Sequence, residues 1–260
     1  MTIPSVNQLL DFSGKTVLIT GADRGIGAGI ARRFAEAGAN VAIHYRSGKI
    51  DAEALAAELR ASNNNQAHAF HADLTDESDV ANLMQSVQSH FGQLDVAINN
   101  AGAFPNSSIE NMSLADWKSM LAANTDTVFL CTREAAAIMK PRGGAIVNIA
   151  SISGLNAGPE HAHYNSAKAA VIMFTQSAAQ EFGAFNIRVN AVSPGVIARE
   201  GIQAAWPEGV ARWEEKTPLS RMGTPEDVAD ACLFLSSPTS RFITGVNLPV
   251  EGGILATPIY

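Results

Sequence analysis

Tyr164 and Lys168 stand four residues apart in a stretch of helical periodicity, so both side chains fall on one face about one turn apart. A phenol holds its proton to about pH 10, and a neighbouring ammonium stabilises the phenolate; a downward shift of roughly 3 units needs about 4 kcal/mol of differential interaction. Such a pair moves protons. With 3 tyrosines in 260 residues, a Tyr-x-x-x-Lys pair is expected about 0.07 times by chance, so its surroundings must carry the reading. Ser151 closes an apolar run thirteen residues earlier, where a hydroxyl can hydrogen-bond a substrate oxygen beside the phenol.

A second constellation, Thr20-Gly21-Ala22-Asp23-Arg24-Gly25-Ile26-Gly27, joins a β-branched run to a helical pattern. Glycines let the backbone turn tightly and approach a diphosphate, whose charge is met by free amides and the positive end of the following helix. The glycines fall as G-x-x-x-G-x-G, not as the common dinucleotide fingerprint G-x-G-x-x-G. That fingerprint also expects an acid at the end of the second strand to hold the adenosine ribose. This chain has His44-Tyr45-Arg46-Ser47 there, with Arg24 available from the glycine turn. A carboxylate repels a 2′-phosphate and an Arg grips it, so NADP(H) is the expected cofactor. The open alternative is that Arg46 is a solvated loop charge and NAD(H) is also accepted.

The elements that must position these groups alternate along the chain. Thr16–Thr20, Val41–Tyr45, Ala67–His71, Val96–Asn99, Ala145–Ile149, Arg188–Val192 and Val246–Pro249 read as strands. Ile26–Ala37, Asp51–Ala61, Glu77–Phe91, Leu114–Met139, Tyr164–Phe182 and Pro225–Leu235 read as helices, the last capped by Thr224. Near-continuous apolar strands with helices between them predict an α/β fold, a single-domain Rossmann-type doubly wound parallel sheet of about seven strands with helices on both faces. Its ligands gather at the carboxyl ends of the strands. The least regular stretch, Gly195 to Gly223, is a candidate lid.

In order and spacing, these motifs resemble the short-chain dehydrogenase/reductase family over essentially the full length. The resemblance rests on the glycine turn, Asp73 after the third strand, Asn99-Asn100-Ala101-Gly102, Ser151, Tyr164-Asn165-Ser166-Ala167-Lys168 and Asn190-Ala191-Val192-Ser193-Pro194-Gly195. It implies an NAD(P)-dependent enzyme acting on CH–OH or C=O groups. Tyr164 would be the acid/base, Ser151 would orient the carbonyl, Lys168 would lower the tyrosine pKa and bind the nicotinamide ribose, and Asn124 would hold a proton-relay water. Gly21, Asp23, Arg24, Gly25, Ile26 and Gly27 would hold the cofactor, with Tyr45, Arg46, Ser47, Asp73, Leu74, Asn100, Ala101, Gly102, Pro194, Gly195 and Ile197. The chain departs from the family pattern in three places: Arg199 stands at a common threonine, Thr125-Asp126-Thr127 replaces an apolar residue and glycine, and Glu251-Gly252-Gly253 replaces Asp-Gly-Gly.

Within the family the chain is similar both to 3-oxoacyl carrier-protein reductases and to sugar (aldose) 1-dehydrogenases. Met112 to Trp117 and His163-Tyr164 lean towards the latter. A reading of another class is a catalytically silent nucleotide-binding regulator, which nicotinamide absorbance during turnover separates from an enzyme. Glu160, His161 and His163 lie in the segment between Ser151 and Tyr164, either as local hydrogen-bonding groups or as readers of substrate hydroxyls. Trp206 and Trp213 either cap the pocket or pack against the core or a neighbouring subunit. Net charge −7 argues against nucleic acid. Cys131 and Cys232 lack metal-ligand spacing and read as core residues, and no metal is expected. Residues 1–15 lack a basic and apolar leader, and no run reaches the roughly 18 apolar residues of a membrane span, so a cytoplasmic protein is expected. A homotetramer follows from the resemblance, with Ile254-Leu255-Ala256 and Pro258-Ile259-Tyr260 fitting a buried tail.

Overall fold

Short apolar strands fill the centre of the molecule, where helices cover both faces of the sheet. The computed structural model describes residues 4–63 and 66–256. The strands are β1 (Thr16–Ile19), β2 (Asn40–Tyr45), β3 (Ala67–His71), β4 (Val96–Asn99), β5 (Gly144–Ile149), β6 (Ile187–Pro194) and β7 (Asn247–Val250). The helices are α1 (Gly25–Glu36), α2 (Lys49–Asn63), α3 (Glu77–Phe91), α4 (Leu114–Leu121), α5 (Thr127–Met139), α6 (Ala162–Phe182), α7 (Ile202–Ala205), α8 (Pro207–Lys216) and α9 (Pro225–Ser236). The strands form one seven-stranded parallel sheet in the order β3-β2-β1-β4-β5-β6-β7, as the alternating pattern predicts.

On one face, α1, α2 and α9 pack Phe34, Leu55, Leu59, Val228, Cys232 and Leu235 onto the sheet. On the other, α3, α5 and α6 bring Leu83, Val87, Cys131, Met139 and Ala178. Both cysteines are therefore core residues, and burial pushes the Cys131 thiol up to about 12 and that of Cys232 higher still. α9 starts where expected: the Thr224 hydroxyl accepts from Asp227 N at 3.3 Å, and Asp227 Oδ2 accepts from Thr224 N at 2.7 Å. No helix among the described residues is long and apolar enough to cross a membrane.

Two expectations need correction. Leu114–Met139 is not one α-helix: a π turn at Ala122–Asp126 separates α4 from α5. The Gly195–Gly223 stretch is not irregular throughout, since it contains α7 and α8. Leu255 of the tail is exposed within the single chain, and Pro258, Ile259 and Tyr260 lie outside the described residues.

The strand order reverses between β1 and β4, which pair side by side in parallel while their crossovers run to opposite faces. A crevice opens at the carboxyl ends of these two strands. Beneath it runs a buried polar ladder. Asn99 Nδ2 donates to Asn148 Oδ1 at 2.8 Å and to Thr132 Oγ1 at 2.9 Å, and Asn148 Nδ2 donates to Thr175 Oγ1 at 2.9 Å. These bonds join β4, β5, α5 and α6, whose ends carry the groups discussed next.

Candidate active site

The glycine turn is built by contacts that sequence reading does not name. The Thr20 hydroxyl, at the end of β1, accepts from Asn100 N at 2.9 Å and Ala101 N at 3.0 Å. Asn100 Nδ2 returns to Thr20 O at 2.9 Å and Gly21 O at 3.0 Å. The two loops at the crevice are thus laced together. Gly21 and Gly25 adopt φ values of +60° and +56°, in the left-handed region. Gly27 has no room for a side chain, because a Cβ there would lie 2.3 Å from Gly21 O.

These features fit a diphosphate. Arg24 precedes α1 without a side-chain cap, so the first amides of a twelve-residue helix have none from it. Open space surrounds Gly25, where a Cβ would meet nothing within 4 Å. Gly27→Ala is expected to weaken dinucleotide binding at least about tenfold, because the turn must shift away from its anion seat. Titration of cofactor fluorescence checks this.

At the adenosine end, Asp23 packs against the backbone of Gly48, and Arg24 remains largely solvated. Asp73 Oδ1 accepts from Thr75 N at 3.0 Å and Thr75 Oγ1 at 2.7 Å. These bonds, with help from the nearby Arg46 charge, hold its carboxyl below the usual range. Leu74 and Tyr45 are buried, whereas Arg46 and Ser47 are exposed at the end of β2. No carboxylate ends β2. Pro194 closes β6, Gly195 N donates to Val250 O at 2.9 Å, and Ile197 bridges to Gly223.

The candidate catalytic groups converge on the other side of the crevice. Tyr164 lies in the first turn of α6, and Lys168 is one turn on and buried. The Lys168 ammonium sits 5.7 Å from the Tyr164 ring centroid and donates to Ile149 O at 2.8 Å. Burial pulls it down to about 8. Ser151 follows β5 and is buried beside the phenol, its Oγ accepting from Ser153 N at 3.1 Å. Burial pushes the Tyr164 phenol up, opposed by that hydroxyl. The expected downward pull by Lys168 therefore does not dominate in the free protein: the ring is desolvated and the ammonium is turned towards Ile149. A phenol kept protonated is suited to giving a proton to a carbonyl oxygen.

Asn124 occupies the π turn, an irregularity that often marks functional positions. Its Nδ2 donates to Ala103 O at 2.9 Å and Met120 O at 3.1 Å, while its buried Oδ1 has no partner. A Cβ on Gly102 would lie 2.6 Å from that oxygen and 3.7 Å from Lys168 Nζ, so the missing side chain leaves these two groups facing one another. The departure Thr125-Asp126-Thr127 supports the turn. Thr127 Oγ1 donates to Ala123 O at 3.0 Å, and Thr125 Oγ1 donates to Ala167 O at 3.4 Å beside Lys168.

The mouth of the site is aromatic and cationic. Phe104 lies 6.4 Å and His161 6.2 Å from the Tyr164 ring, and the Arg199 guanidinium lies 6.0 Å from Phe104. Glu160 takes φ +59°, and its carbonyl accepts from Ser107 N at 2.8 Å, joining the two loops that flank the tyrosine. His161 Nδ1 bonds Pro159 O at 2.7 Å. A cavity of about 340 Å³ lies behind the Phe104 loop, lined by Asn106, Ser107, Asp116, Ser119 and buried His163. Trp213 packs over Gly195, and Trp206 packs over Gly209 while staying half exposed.

A family model described as enoyl-(acyl carrier protein) reductase matches residues 21–255. The 3-oxoacyl-acyl-carrier-protein reductase FabG of Staphylococcus aureus is 37% identical over 241 residues, spanning 92% of this chain and 98% of the relative. This chain belongs to the short-chain dehydrogenase/reductase family. The FabG of Chlamydia muridarum is 37% identical over 253 residues, 96% of this chain and 100% of that protein. A short-chain type dehydrogenase/reductase from Mycobacterium marinum superposes with TM-score 0.91 at 36% identity, covering 97% of this chain and 100% of that one. A 7α-hydroxysteroid dehydrogenase solved with NADH superposes with TM-score 0.91 at 32% identity, over 96% and 98% of the two chains. As a short-chain dehydrogenase/reductase, the protein is an NAD(P)-dependent oxidoreductase acting on CH–OH and C=O groups.

Proposed function

We propose that the protein is an NADP(H)-dependent ketone reductase of the 3-oxoacyl type, with Tyr164 as its proton donor. The convergence of Ser151, Tyr164, Lys168 and Asn124 at the end of β5 carries this reading. The similarity to 3-oxoacyl-acyl-carrier-protein reductases supports the substrate class. When bound, the nicotinamide supplies the hydride. Ser151 fixes the carbonyl oxygen, Tyr164 Oη delivers its proton there, and Lys168 stabilises the phenolate left behind. Asn124, with its free Oδ1 facing Lys168, would hold the water through which the replacement proton moves inward.

Arg46 supports NADP(H) because it is the exposed cation at the end of β2, beside Asp73. Its bond to a 2′-phosphate is worth about 2 kcal/mol, or roughly thirtyfold. Arg46→Ser is therefore expected to lower kcat/KM by about that factor with NADPH and to leave the NADH value nearly unchanged. Equal loss with both cofactors would count against a 2′-phosphate contact.

A sugar 1-dehydrogenase is the second reading, favoured by the polar cavity of Asn106, Ser107, Asp116, Ser119 and His163 beside the tyrosine loop. A panel of 3-oxoacyl thioesters, cyclic ketones, aldoses and polyols, assayed with both cofactors, separates the two. Turnover confined to aldoses would overturn the first. The apolar side chains exposed on α5 and α6, Phe129 and Met173, support a homotetramer. The enzyme would act on small molecules in the cytoplasm.

A further inference from the structure

His44 is a buried imidazole that the chemistry above does not use. It is the fifth residue of β2 and is buried at a position where a strand interior would ordinarily carry an apolar residue. Its Nδ1 accepts from Gly21 N at 3.0 Å, and its Nε2 lies 3.1 Å from Ala72 O. Its own carbonyl accepts from Ala22 N at 2.9 Å. Gly21 opens the glycine turn, and Ala72 directly precedes Asp73 and Leu74.

We infer that His44 is a positioning residue: its ring clamps the diphosphate-binding turn to the adenine-binding loop and sets their separation for the dinucleotide. The inference rests on the reading that these two segments hold the cofactor. The hydrogen bonds determine the tautomer. Gly21 N–H can only donate, so Nδ1 must be the bare nitrogen, and the proton must sit on Nε2, donating to Ala72 O. A second proton would set N–H against N–H and open the clamp. Asp23 from the glycine turn and Asp73 beyond β3 face the ring and favour a charge on it, while His71 of β3 opposes one. Burial outweighs all of these and drives the imidazole down to about 4, so it stays neutral across the working range. Leucine would match the volume but leave the Gly21 amide and the Ala72 carbonyl buried without partners. Asparagine places its Oδ1 where Nδ1 stood.

The test measures NADPH dissociation constants by fluorescence for wild type, His44→Leu, His44→Asn and Gly27→Val, with kcat at saturating cofactor alongside. His44→Leu is expected to weaken binding about tenfold, with a smaller fall in kcat, and His44→Asn to recover most of the affinity. A merely structural histidine would lower both together, with no recovery by asparagine. Multiple-bond proton–nitrogen NMR of the wild type reads the ring without any variant: a neutral ring with its proton on Nε2 at pH 5.5 is expected. A charged ring, or a proton on Nδ1, would overturn the clamp. If Gly27→Val loses binding while His44→Leu keeps it, the clamp alone fails. If Gly27→Val also binds as wild type does, the reading of the glycine turn fails first.

Discussion

Tyr164→Phe is expected to cut kcat for carbonyl reduction by roughly a thousandfold, within the range that a positioned proton donor contributes. Phenylalanine keeps the ring, and with it the edge contacts to Phe104 and His161. What disappears is one oxygen, the hydroxyl beside Ser151. The barrier should rise by about 4 kcal/mol, all of it in the chemical step. Cofactor affinity, which we assign mainly to the glycine turn and the end of β2, should change by no more than about threefold. Steady-state kinetics with a cofactor titration measures both quantities. Equal losses in affinity and turnover would instead mean that the substitution had damaged the site as a whole.

Lys168→Met should separate stability from activity. The Lys168 ammonium ordinarily holds its proton to pH 10.5, but burial in the folded protein brings this down to about 8. Between those values the unfolded chain binds more protons, so stability rises with pH from 8 to 10.5; below pH 8 the folded state carries the full penalty of the buried charge. That penalty is on the order of 3 kcal/mol. Methionine fills nearly the same volume without the charge. Losing the bond to Ile149 O offsets about 1 kcal/mol, leaving the variant roughly 2 kcal/mol more stable at pH 7. Its stability should be flat between pH 8 and pH 10.5, apart from what other groups contribute. Turnover should fall about a thousandfold, since nothing then stabilises the phenolate. Urea unfolding at pH 7 and pH 10 checks the first pair of statements. A variant less stable than wild type, with the same pH slope, would show that the buried charge carries no such penalty.

The two groups behind these predictions were readable because helical spacing by itself places i and i+4 together, and Tyr-x-x-x-Lys needs no tertiary knowledge. β3, β4 and α3 were equally legible, since a change of apolar period marks both ends of each. The π turn was not. Leu114–Met139 keeps apolar residues at helical spacing throughout, and one inserted residue changes the hydrogen bonding without changing that pattern. The run Asn124-Thr125-Asp126-Thr127, four short polar residues in an apolar helix, was the available signal. The lacing of Thr20 to Asn100 and the clamp through His44 were hidden for another reason. They join residues 80 and 23 positions apart, and only the strand order brings these together. The upward push on Tyr164 was missed because spacing gives proximity to an ammonium but not the burial that competes with it.

The pH dependence of kcat/KM for carbonyl reduction, compared between wild type and the residual activity of Tyr164→Phe, reaches the central claim most directly. Wild type should lose activity at alkaline pH, first as Lys168 gives up its proton near pH 8 and no longer stabilises the phenolate, and then as the phenol itself ionises. In the phenylalanine variant that limb should vanish, leaving a slow rate that no longer follows it. The same alkaline limb in both proteins would mean that another group supplies the proton, and the role given to Tyr164 would be wrong.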